Sequence, residues 1–222
     1  MIPVDPQVLD ACQKHVDLLI EANKRVNLTR IEDSEEARLL HIEDSLVGLE
    51  LINQAPEGCY ADLGTGGGFP GIPLAIATGR ETLLVDSVAK KVRELQGFVE
   101  ELGLSNVQTY AGRIEELAEA KPAAFSVLTA RALTALPSLI ELASPLLCEG
   151  GWIICYKSDD IDEELDAALN IQEKVAMFLI SDERLVLSDG VTPRRLLVFR
   201  KHGEPTVKLP RRVGMAQKRP YK

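Results

Sequence analysis

A chain of 222 residues, 45% hydrophobic and 27% charged, has the composition of a soluble globular protein with a full core, one domain long or one domain with an extension. No apolar run approaches the length that a membrane-spanning helix needs, and a net charge of −9 taken alone argues against nucleic acid as a partner. The four cysteines (Cys12, Cys59, Cys148, Cys155) form no CxxC pair and read as buried free thiols in a reducing cytoplasm, and the three scattered histidines with no HExxH indicate no metal site.

The start, Met1-Ile2-Pro3-Val4-Asp5-Pro6, lacks the basic and apolar regions of a signal peptide. Asp5-Pro6 reads as an N-cap followed by proline at the first helical position, and Leu9, Cys12, Val16, Leu19 and Val26 repeat at helical spacing. A second helix is expected from near Ser34, with Glu35 and Glu36 suiting its dipole, to about Ile52, before Gln54-Ala55-Pro56-Glu57-Gly58 breaks it. Residues 1–56 are thus expected to form a small helical cap.

From Gly58 strand and helix alternate. Strands are expected at 59–63, 82–85, 107–110, 125–129 and 152–156, with helices around 72–78, 88–102, 114–120, 135–147 and 161–175. This succession demands an α/β, Rossmann-like architecture, a mostly parallel sheet with helices on both faces. The runs Phe178-Leu179-Ile180, Arg184-Leu185-Val186-Leu187 and Leu196-Leu197-Val198-Phe199 have no helix between them and predict an antiparallel hairpin at the sheet edge. The main domain is read as 57–201. Residues 201–222 hold seven basic side chains against Glu204, a net +6 that leaves −15 on the rest, and 202–222 therefore reads either as a basic arm for an anionic partner or as a solubilising tail.

Function concentrates in Asp62-Leu63-Gly64-Thr65-Gly66-Gly67-Gly68-Phe69-Pro70-Gly71. Glycines where a strand turns into a helix, Gly64, Gly66 and Gly68 among them, leave bare backbone for a ligand, and Asp86, at the end of the next strand, stands where a nucleotide ribose is held. Acidic Asp62 would oppose a pyrophosphate, and Pro70 and Pro73 remove N–H donors that a dinucleotide would use. S-adenosylmethionine, cationic and without phosphate, fits better, and the sheet pattern is that of class I methyltransferases. After the third strand, Gly112-Arg113-Ile114-Glu115 stands where such folds bring a loop against adenine, with a plain helix start as the alternative. Arg131, closing the fourth strand, faces a carboxylate or phosphate or makes a structural ion pair.

Taken together these motifs resemble the 16S ribosomal RNA guanine-N7 methyltransferases, the glucose-inhibited division protein B family. The resemblance rests on Asn27-Leu28-Thr29, His41-Ile42-Glu43-Asp44-Ser45-Leu46, the glycine loop extended through Ile72-Pro73-Leu74-Ala75, Leu84-Val85-Asp86-Ser87, Lys90-Lys91-Val92, Arg113-Ile114-Glu115-Glu116, Ala130-Arg131-Ala132 and Pro210-Arg211-Arg212-Val213-Gly214. It implies S-adenosylmethionine held at Gly64, Phe69, Ile114, Glu115 and Arg131, with Asp86 near the ribose, and methylation of a guanine N7 in the decoding region of small-subunit ribosomal RNA. One departure is Cys155-Tyr156-Lys157-Ser158, where the family has a Leu-Lys-Gly-like sequence.

Guanine N7 needs no deprotonation before attack, so placement carries the chemistry. Asn27, His41, Asp44 and Ser45 are the expected grip on the guanine, the last three at i, i+3 and i+4 on one helix face, although each could instead satisfy neighbouring backbone. Arg131, Lys157, Arg211, Arg212, Lys218 and Arg219 are the expected RNA contacts. The expected partner is the ribosomal RNA or small subunit, met by a cytoplasmic monomer without membrane or metal; the alternative is a class I methyltransferase acting on a protein or small molecule.

Overall fold

The computed structural model describes residues 4–29, 31 and 34–222, so Met1 to Pro3 of the N-terminal stretch read above lie outside the described residues. Five parallel strands, β1 (Tyr60–Leu63), β2 (Thr82–Asp86), β3 (Val107–Ala111), β4 (Phe125–Arg131) and β5 (Leu147–Lys157), are continued by β6 (Met177–Val186) and β7 (Pro193–Lys201). Their order is β3-β2-β1-β4-β5-β7-β6, with β7 antiparallel to both of its neighbours.

Side-chain alternation along the strands divides the core. Ala61, Leu63, Leu83, Val85, Leu128, Ala130, Ile153 and Cys155 face one side, where α7 (Ile114–Ala120), α8 (Leu136–Ala143) and α9 (Asp162–Val175) cover them. Tyr60, Leu84, Val127, Ile154 and Tyr156 face the other, covered by α1 (Pro6–Asn23), α4 (Leu49–Gln54), α5 (Gly71–Thr78) and α6 (Ala89–Glu101). Leu19 of α1 is fully buried in the same cluster as Ile72 of α5 and Phe98 of α6. Burial of one leucine stabilises by roughly 1.5–3 kcal/mol, and the described residues of the 1–56 segment share a core with the sheet domain.

The structure departs from the sequence-based elements in four places. The second helix is broken into α2 (Ser34–Ala37), a π-helical turn (Arg38–Glu43) and α3 (Asp44–Leu46) before α4. An inserted residue of this kind shifts the helix face, and at the end of the turn Ser45 Oγ donates to the His41 carbonyl at 2.5 Å. The fifth strand begins at Leu147 rather than 152, with α8 ending at Ala143, because Leu147 pairs with Phe125 ahead of an irregularity that precedes the Trp152–Val127 pair. The runs at 178–180 and 184–187 lie in one strand, β6, extended across a register shift between Leu179 and Ser181. Last, the basic segment packs down: a short helix, α10 (Met215–Lys218), sits on α8, with Ala216 buried and its carbonyl accepting from Ser138 Oγ at 2.8 Å.

The cap meets the glycine loop through three rings. His15 stacks on Phe69 with centroids 4.3 Å apart and His41 stacks on the same ring at 4.5 Å. His15 Nε2 lies 2.9 Å from the Gly67 carbonyl and therefore donates to it, and His41 Nε2 bonds Thr29 Oγ1 at 3.1 Å. Burial lowers the His15 pKa from 6.5 to about 3 and that of His41 to about 4, so both rings are neutral at pH 7. The unfolded chain therefore takes up protons first as pH falls below about 6.5, and stability present above that pH drains away toward pH 4. Urea midpoints should show a loss of roughly 2 kcal/mol per histidine between pH 7 and pH 5. His15→Gln, which keeps an amide donor for Gly67, should remove about half of that slope; an identical pH profile in the variant would show that His15 does not carry the acid sensitivity.

Candidate active site

The glycine loop leaves β1 tied to β2: the Gly64 and Thr65 amides both donate to the Val85 carbonyl, at 2.8 and 3.0 Å. Gly66 holds a left-handed φ of 59°, and a Cβ built there would meet nothing nearer than the Gly64 carbonyl at 4.0 Å, so its bare backbone faces open space. Gly71 is needed for a different reason, since a Cβ there would collide with Leu84 and lie 2.8 Å from Asp62. Helix α5 must start this close to β2 to bring the loop over the carboxyl ends of the strands.

Two aspartates hold the loop from either side. Asp86 at the end of β2 accepts from Gly66 N through Oδ2 at 3.1 Å and from Val88 N through Oδ1 at 2.8 Å. Asp62 accepts from Gly71 N at 3.0 Å and from Thr129 Oγ1 at 2.7 Å, and Thr129 also bonds the Tyr60 hydroxyl at 2.6 Å. Asp62 is fully buried, and that burial pushes its pKa up. The sequence puts Asp62 against the cofactor; the structure turns it into the interior, because the α5 amide and the β4 hydroxyl need an acceptor where water cannot reach.

Beside the loop opens a cleft of about 550 Å³, part of it open to solvent, walled by Gly64, Asp86, Ile114, Glu115, Leu133 and Gln217. Ile114 and Glu115 stand in the first turn of α7, nine-tenths or more buried. Arg113, also on the wall, has a buried Nε with no hydrogen-bond partner among the described residues. Gly64, Asp86, Ile114 and Glu115 are thus brought together. Phe69 lies at the far end of the loop, both faces taken by the two histidines, and Gly68 packs against His15 and Ile72.

The remaining expected residues separate into two groups. Asp44 is buried and carries two arginines: Arg131 Nη1 at 2.8 Å and Arg194 Nε at 2.6 Å. Arg131 also donates to the Leu40 carbonyl at 3.0 Å, and its guanidinium lies 5.9 Å from the Phe69 ring centre. Ser45 is fully buried and bonded to its own helix, whereas Asn27 is exposed; the neighbouring Asn23 shapes that loop by accepting from Leu28 N and Thr29 N. The four residues expected to grip a guanine therefore do not form one polar face.

Among the expected RNA contacts, Lys157 donates to Glu164 at 2.7 Å and to the Thr134 carbonyl at 2.9 Å, which is a structural brace between β5, α9 and the loop after β4. Arg211 makes two 2.6 Å bonds to buried Glu141 and stacks over Tyr221. Arg212, Lys218 and Arg219 are exposed. Sequence reading missed His15, Arg194, Glu141 and Gln217. A histidine inside the apolar stripe of α1 was a usable signal; the other three are placed by partners 70 or more residues away.

The family model GidB, described as rRNA small subunit methyltransferase G, matches residues 9–184. A protein named ribosomal RNA small subunit methyltransferase G from Streptococcus sanguinis is 34% identical over 215 residues, covering 95% of this chain and 90% of its own. One of the same name from Alkaliphilus metalliredigens is 32% identical over 222 residues, covering 99% and 93%. In structure the chain is similar to an O-methyltransferase from Bacillus cereus solved in complex with SAH, with a TM-score of 0.59, 18% identity, and 90% and 93% of the two chains covered.

The interior position of Asp62 has a measurable consequence. Asp62→Ala strands the Gly71 amide and the Thr129 hydroxyl in a dry site and should cost about 2–4 kcal/mol in chemical denaturation, while Ser87→Ala on the exposed cleft wall should stay within about 0.5 kcal/mol of the parent. A parent-like midpoint for Asp62→Ala would refute the clamp.

Proposed function

The chain belongs to the rRNA small subunit methyltransferase G family, and from that premise we propose that it transfers a methyl group from S-adenosylmethionine to the N7 of a guanine in the decoding region of 16S ribosomal RNA. The observation that carries the cofactor class is the state of the helix start. The Gly71 amide is given to Asp62, that of Ile72 to the Gly68 carbonyl and that of Leu74 to the Pro70 carbonyl, while Pro73 has none. The Gly68 and Phe69 amides both go to the Thr65 carbonyl. A pyrophosphate needs such N–H groups free at the helix N-terminus, and this start offers none, with a buried carboxylate behind it.

The cleft residues fit a nucleoside with a cationic tail instead. Asp86 spends one lone pair of each oxygen on the loop and keeps others for ribose hydroxyls, Ile114 presents an apolar surface suited to an adenine ring, and Gly66 lets a ligand approach its backbone. When bound, the cofactor supplies an electrophilic methyl group on sulfur. The protein's own part is to hold the guanine so that N7 lies in line with that methyl group, a task that asks for orientation and not for a base. The neutral, buried His15 and His41 suit this, because they stiffen the loop and remove no proton. Arg131 and Arg194, two cations on one carboxylate, leave a net positive group at the carboxyl end of β4.

On this reading RNA phosphates are met by the exposed Arg212, Lys218 and Arg219. Reversing all three to glutamate should weaken binding of a small-subunit RNA and lower the slope of log affinity against log salt by roughly 2–3; an unaltered slope would leave these residues without a role in binding. For the activity, small subunits lacking the modification, incubated with methyl-labelled S-adenosylmethionine, should yield one N7-methylguanine on strand scission. Measurable cofactor binding with no label in the RNA would reject the substrate.

A further inference from the structure

The cleft wall contains a residue from far along the chain. Gln217, on α10, lines the cleft beside Gly64, Asp86 and Glu115. It is held there by a connected set of bonds. Gly214, in a left-handed conformation with φ 77°, donates its amide to Glu115 Oε1 at 2.6 Å, and Arg113 reaches Gln217 Oε1 at 3.4 Å. Ser138 fastens the Ala216 carbonyl, and Arg211 joins Glu141 to the Arg219 carbonyl. The same eleven-residue stretch from 209 to 219 exposes Arg212, Lys218 and Arg219 on its outer side.

We propose that residues 211–219 are a clasp completing the cofactor site, in which Gln217 positions the bound cofactor from one side while its basic neighbours face the RNA. The inference rests on the cofactor reading given above. Glu115 stands between cleft and clasp, in the first turn of α7, so a ligand seated against Ile114 and Glu115 restrains the residue that holds Gly214. Filling the cleft then fixes the segment that carries the cations, and by thermodynamic reciprocity RNA held on that segment tightens the cofactor.

The test uses the full chain with S-adenosylhomocysteine as the probe, read by calorimetry and by amide hydrogen exchange. The probe should slow exchange in peptides spanning 211–219 by about tenfold or more in the unaltered protein. Gln217→Ala should weaken probe affinity roughly three- to tenfold, the value of one hydrogen bond. Ser138→Ala, at a residue that does not itself line the cleft, should weaken it as well by loosening the clasp. Melting without the probe shows whether either variant is simply less folded, and the exchange effect in the unaltered chain does not depend on either variant. Equal affinities in all three proteins with no change in exchange would overturn the clasp alone. Absence of probe binding to the unaltered chain would overturn the cofactor reading and this inference with it.

Discussion

The site depends on a glycine loop that is tied down from both ends. Glycines at 64, 66 and 68 adopt left-handed conformations, and such residues lose the most conformational freedom on folding. Asp86 fixes the middle of the loop and Asp62 fixes its exit, so two carboxylates at the ends of adjacent parallel strands act as a clamp. Asp62 is the costlier of the two. Among the described residues no cation is bonded to it, and a hydroxyl and an amide compensate its burial. That cost is offset by making β1, β4 and α5 one unit, which sets the distance from loop to cleft wall.

The N-terminal segment belongs to the same construction. The stacked His15, Phe69 and His41 rings support the exit of the loop from beneath, each contact contributing on the order of 0.5–1.5 kcal/mol beyond its burial. Asp44 with Arg131 and Arg194 ties the π-helical turn to β4 and β7, and the Tyr156 hydroxyl donates to the Ser45 carbonyl from β5. A buried ion pair of this kind adds little net stability but is costly to break from one side. Its contribution here is register: it fixes where the turn carrying His41 sits above the sheet.

What could be read from sequence depends on the range of the interaction. The glycine loop, Asp86 and the five parallel strands are local patterns, and all except the start of β5 are found close to where spacing puts them. Charged residues are harder, because their partners decide their use. Lys157 and Arg211 have the composition of phosphate contacts, yet Glu164 and Glu141 claim them. Asp62 reads as a ligand group because a run of glycines comes directly after it, and its actual partner Thr129 is 67 residues away. The π-helical turn hides in a continuous helical periodicity because one extra residue per turn leaves composition unchanged. The basic stretch is visible as charge but not as structure, since Glu115, Ser138 and Glu141, which seat it, lie 70 or more residues away.

Electrostatics then constrains how an RNA could approach. With −9 on the whole chain and +6 confined to residues 201–222, the remaining surface repels a polyanion. The densest positive charge lies in that segment, next to the cleft wall that Gln217 shares with Glu115. An evenly basic protein would bind RNA in many orientations, most of them with the cleft turned away. On the proposed reading, the acidic body disfavours those orientations as much as the basic edge favours the productive one. The low number of exposed cations beside the cleft is then a source of orientation and not a deficit of affinity, and the rest of the binding free energy has to come from contacts that only a correctly placed guanine can make.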